Sequence, residues 1–132
     1  MNDPVAAVPP AIATVLLAAR AAENSASGPD RRDAFRTTRH LLGGCRVAGI
    51  PLEDLAALFQ VRADTIRNRA YVDGLVPAAT FVDLARVSLD DLTGWQRDGL
   101  LPAASTDPGY RTSYPASALI TALITNATGV EQ

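Results

Sequence analysis

The sequence predicts a mainly α-helical chain with two helix-turn-helix units in tandem and a small β-hairpin after the second. Three observations carry that expectation. Apolar residues recur at helical spacing along most of the chain. A helix-turn-helix pattern ending in DGLVPAA (residues 73–79) is followed by a related one ending in DGLLPAA (residues 98–104). Asp107-Pro108-Gly109 is strong turn chemistry, suited to the tip of a hairpin. The 132 residues make one compact domain or two very small ones sharing a core. Hydrophobic residues are 48% and aromatics 5%, so Ala, Leu, Val and Ile must supply most of that core.

Residues 1–28 read as a flexible arm. Three prolines fall within the first ten residues, residues 11–22 (AIATVLLAARAA) form a short helix, and ENSASGPD is linker chemistry. A helix packed on a partner subunit is the alternative for this segment. Residues 29–76 form a basic helix and the first helix-turn-helix, and residues 77–132 form the second unit. From Asp30 to Ala48 the pattern is helical, with Asp30 or Asp33 near the positive dipole end. Phe35, Thr38, Leu41, Leu42 and Cys45 share one arc, and Arg32, Arg36, Arg39 and Arg46 share its neighbour. Gly43-Gly44 costs roughly 1 kcal/mol per glycine, so a break or kink is expected there. Cys45 reads as a small core residue, and His40 as a surface residue or phosphate contact.

Pro51 suits a first helical turn, and Leu52, Leu55, Ala56, Leu58 and Phe59 give an apolar face. Gln60-Val61 interrupts it, and a second helix runs from Arg62 to about Val72 with Ile66 and Ala70 inward. PLEDLAALFQVRADTIRNRAY resembles the DNA-binding helix-turn-helix of bacterial regulators. The fitting positions are Ala56 at the helix crossing, Val61 after the turn and Ile66 in the second helix. Gln60 stands where glycine is common, and Arg62 where Ser or Thr usually caps. The second helix would show Arg62, Asp64, Thr65, Arg67, Asn68 and Tyr71 outward. Arg pairs bidentately with guanine and Asn with adenine. Arg32, Arg36, Arg39 and Arg46 would then hold backbone phosphates.

In the second unit, residues 81–90 align with residues 55–64, and Leu92 with Ile66. Ser88 can cap a helix with Asp91 as capping-box carboxylate, and Gly99 suits a left-handed C-cap. Trp95, Leu92 and Leu100 read as core, with Trp95 also a partner-contact candidate. Pro115 starts a last helix with Ala118, Leu119, Ala122 and Leu123 inward. Ile120 and Ile124 are expected to widen that stripe toward a dimer surface. The ordered pieces Val87-Ser88, Leu92, Trp95, Gly99-Leu100-Leu101-Pro102, Gly109-Tyr110-Arg111 and Tyr114-Pro115 resemble MerR-type and excisionase-type winged helix-turn-helix domains over roughly residues 78–124. The resemblance implies a winged domain with Arg111 at the wing, where relatives touch phosphate. Asp90-Asp91 and a mid-helix Gly94 depart from the basic second helix of such relatives, and Arg97 is its only cation.

Charge is unevenly divided. Twelve arginines and no lysine give a formal net charge of −2, but residues 31–72 carry +4 and residues 73–132 carry −4. Arginine-only cations beside abundant alanine fit a GC-rich bacterial genome. One cysteine and one histidine rule out an internal disulfide and leave too few ligands for a Cys/His zinc site. No P-loop, dinucleotide fingerprint or nucleophile elbow is present, so no catalysis, metal or cofactor is expected. No apolar run reaches the roughly 20 residues a membrane span needs, and a secretory signal is not evident, so a cytoplasmic protein is expected. The leading expectation is a sequence-specific binder of double-stranded DNA, a bacterial or mobile-element regulator of repressor or excisionase-like type. The rival is a protein–protein adaptor on a helix-turn-helix scaffold. A homodimer or protein partner would use the C-terminal unit.

Overall fold

The computed structural model describes residues 8–70, 73–106 and 111–130. These residues form seven helices and one three-stranded antiparallel sheet. The helices are α1 (Pro10–Ser25), α2 (Gly28–Val47), α3 (Leu52–Phe59), α4 (Ala63–Arg69), α5 (Ala78–Ala85), α6 (Leu89–Arg97) and α7 (Ala116–Val130). The strands are β1 (Leu75–Pro77), β2 (Ser105–Thr106) and β3 (Thr112–Pro115), in the order β1-β3-β2. The mainly α expectation with a small hairpin therefore holds.

The expected arm over residues 1–28 is instead a core helix from Pro10 onward. Ile12, Val15, Leu16 and Ala19 recur at helical spacing, and all four are buried. They pack against α2, α5 and α7. Composition identified the helix, but its apolar stripe finds partners only in tertiary structure. The segments on either side of residue 77 share one core, because buried residues of α1 through α7 form a single cluster.

Proline begins α1 and sits in the first turn of α2, where its missing N–H leaves no helical bond unmade. Asp30 lies in the first turn of α2 and Arg46 in its last, both matched to the helix dipole. The expected break at Gly43-Gly44 does not occur. A Cβ on Gly44 would lie 2.6 Å from the Ser117 backbone nitrogen and 2.7 Å from the Ala116 carbonyl carbon. Glycine here lets the start of α7 meet the α2 backbone, and that packing outweighs its poor helix propensity. Phe35 departs from the expected apolar arc: it is 46% exposed, whereas Thr38, Leu41, Leu42 and Cys45 are buried.

Two helix pairs, α3–α4 and α5–α6, repeat with an offset of 26 residues at every helix boundary from α3/α5 through the start of α4/α6. Each turn holds a non-glycine residue in left-handed backbone, Gln60 at φ 57° and Arg86 at φ 59°. Each then closes on the same backbone bond, Val61 N–H to Ala56 C=O (3.0 Å) and Val87 N–H to Val82 C=O (3.2 Å). The α4 helix ends at Arg69, short of the expected Val72, where Ala70 leaves helical geometry. The α6 helix has the expected capping box: Asp91 N–H donates to Ser88 Oγ (3.0 Å) and Ser88 N–H donates to Asp91 Oδ2 (2.8 Å). Gly99 takes φ 84°, and Leu100 N–H returns to the Trp95 carbonyl (2.8 Å).

β1 was not legible as a strand. It pairs Val76 with Tyr114 of the central β3, and both are buried. Asp107-Pro108-Gly109 and Tyr110 lie outside the described residues. Trp95 is 4% exposed, a core residue as expected and not a partner contact, and Ile120 is fully buried and not on the dimer surface expected of it. Helix α7 begins at Ala116, after Pro115 has ended β3.

Candidate nucleic-acid interface

Four of the five arginines of α2 line one open depression on the surface of that helix. Arg31, Arg32, Phe35, Arg36 and Arg39 line it, with Gly28 at the helix start. Asp33 pairs with Arg36 at 3.4 Å, and Asp30 lies in the first turn of the same helix. Arg39 is half-buried, and its Nε is buried without a hydrogen-bond partner among the described residues.

Helix α4 is tied to this face. Arg69 donates to Glu23 on α1 (2.9 Å) and stacks over the Phe35 ring, its guanidinium carbon 4.1 Å from the centroid. Arg69 thus fixes which side of α4 meets α2. At about 100° per residue, Thr65 and Asn68 lie on the exposed half of α4 next to that edge. Both are exposed, as is Arg62 at the N-cap. Arg67 lies about 160° around the helix from Arg69, on the far flank. It is held there by an ion pair with Asp64. The expected set on α4 is therefore spread around the helix: Arg62 and Thr65 lie within about 40° of Arg69, Asn68 about 100° from it and Arg67 about 160°. Tyr71 lies outside the described residues.

The remaining expected contacts are dispersed. Arg46 sits at the other end of α2 and donates to the Ala70 carbonyl (3.3 Å), satisfying the C-terminus of α4. Arg97 on α6 pairs with Asp98 at 3.7 Å, and Asp90 and Asp91 occupy the first turn of that helix. Arg111, just before β3, is exposed and shares a cavity with Arg36.

Sequence reasoning passed over Arg31, Arg69 and the exposed Phe35. Arg31 adjoins the named stripe and belongs to the same charge cluster. Arg69 sits three residues after buried Ile66, a position that faces a neighbouring element rather than open solvent. His40 is half-buried, and its Nδ1 lies 3.1 Å from the Leu75 carbonyl. Burial is the main cause that lowers its pKa from 6.5. Cys45 is fully buried, and burial pushes its thiol pKa up to about 12. No helix among the described residues is long and apolar enough to cross a membrane.

Comparisons with protein-family models, with curated proteins and with solved structures each give no match.

Proposed function

We propose that the protein binds double-stranded DNA, with α2 on the phosphate backbone and the Arg62-Thr65-Asn68 side of α4 toward base edges. The observation that supports it is the one face of α2 that carries Arg31, Arg32, Arg36 and Arg39 around Phe35. Guanidinium groups so arranged suit phosphate oxygens. A regulator of the helix-turn-helix kind, repressor or architectural, is the role that follows. The second unit supplies shape more than charge, because α6 is acidic and its Arg97 is already paired. That acidity favours a protein partner for this unit, and it is the observation behind the adaptor reading.

Fluorescence anisotropy with a random duplex across salt concentrations tests the proposal. Binding should weaken steeply with salt, and removing Arg32 and Arg39 together should reduce the log–log slope by about 2. On a selected site, Asn68→Ala should cost about 1–3 kcal/mol and relax specificity. Absence of binding at low salt would replace this reading with the adaptor.

A further inference from the structure

A cavity of about 240 Å³ lies where α1, α2, β1 and α5 meet. Leu75, Pro77 and Leu84 give it an apolar wall, and Ala19 and Ala22 close it on the α1 side. Thr37 and Thr80 bring hydroxyls, and Arg36 and Arg111 bring cations from opposite elements. His40 also lines it. With Nδ1 donating to the Leu75 carbonyl, the neutral ring keeps Nε2 as an acceptor. Asp33 is the one acid in the lining, and its pairing with Arg36 is long at 3.4 Å and largely exposed.

Size and chemistry narrow the occupant. A cavity of about 150 Å³ holds benzene. The larger volume here admits a ring with one small substituent. An apolar wall with a few convergent donors is the usual build of a small-molecule site, and guanidinium groups match a carboxylate in geometry and charge. We propose that this cavity binds a small organic carboxylate of about the size of benzoate, its carboxylate held by Arg36 and Arg111. Arg36 lines the α2 groove as well. A bound carboxylate therefore withdraws Arg36 from phosphate and lowers DNA affinity, a coupling that rests on the DNA reading above.

Two independent measurements separate the site from the coupling. Isothermal titration of the full chain with sodium benzoate, in the absence of DNA, should give saturable single-site binding. Amide NMR signals of Thr37, His40 and Thr80 should shift along the titration. Benzyl alcohol and sodium acetate should each bind at least about tenfold more weakly, since one lacks the charge and the other the ring. Arg36→Gln and Ala22→Phe, which fills the cavity from α1, should each weaken benzoate by about tenfold. The ligand comparison needs no variant, so it stands even if a variant fails to fold. Equal binding of benzyl alcohol overturns the carboxylate assignment. Equal binding of acetate, or no saturation, overturns the site. In the second measurement, benzoate should weaken binding of the duplex. Benzoate binding with unchanged DNA affinity overturns the coupling alone. Benzoate binding by a protein that does not bind DNA overturns the interface and leaves the cavity assignment standing.

Discussion

The Arg69 guanidinium joins α4 to Glu23 on α1 and to Phe35 on α2. The ion pair is mostly buried, with 23% of the arginine side chain and 10% of the glutamate exposed. Removing the acceptor leaves a charged donor unsatisfied. Glu23→Ala should therefore cost about 2 kcal/mol, read from the urea midpoint. His40 is the chain's one histidine, so its ring signals titrate without ambiguity. Burial lowers its pKa from 6.5, Arg39 and Arg36 add to the lowering, and the Leu75 carbonyl opposes it. The unfolded chain then takes up the proton first. His40 imposes no penalty above pH 6.5, and stability is lost as pH falls through the window below. The NMR midpoint should lie below 6.5, and His40→Gln should flatten this part of the stability profile. Cys45, with its thiol pushed up to about 12, should ignore a thiol reagent until denaturant exposes it.

Helix α2 shows how an element can break a propensity rule for a reason in space. Ala favours a helix over Gly by about 1 kcal/mol. Gly44→Ala nonetheless forces a Cβ against the Ser117 and Ala116 backbone, which cannot swing aside. Overpacking of this kind costs about 1–3 kcal/mol. The net change should be destabilising, seen as a lower melting temperature. The same residues mark what a sequence discloses. The helices of the two pairs, the Ser88 cap and the Gly99 stop are local, since each is written in residues close to one another in the chain. The place of α1, the purpose of Gly44, the strand at Leu75–Pro77 and the exposure of Phe35 are long-range. They depend on which helix arrives opposite, and spacing alone does not carry that. The arginine groove was half legible: its α2 members follow from periodicity. The turning of Arg67 away from it depends on Arg69 anchoring α4.

At the scale of the molecule, α1 is the element that makes the two units one body. It lies against α2, α5 and α7. A chain lacking residues 1–27 loses Ile12, Val15, Leu16 and Ala19 from the cluster that both units share. It should bind a dye for exposed apolar surface and unfold without a cooperative transition, as calorimetry would show. The polarity of charge is arranged across this body too, with the cations gathered before residue 73 and the acids in excess after it. The contact of α1 with α7 sets a further condition, on time. During synthesis α1 meets α2 at once, α5 later, and α7 about a hundred residues after α1 itself. The first helix-turn-helix can form on the way, from near neighbours in the chain. Helices α2 and α5 reach α1 before α7 does, and the part of its apolar stripe that meets α7 stays uncovered until then. Completion of the core is therefore late, and a nascent chain halted before residue 116 keeps the α7-facing part of its first helix exposed.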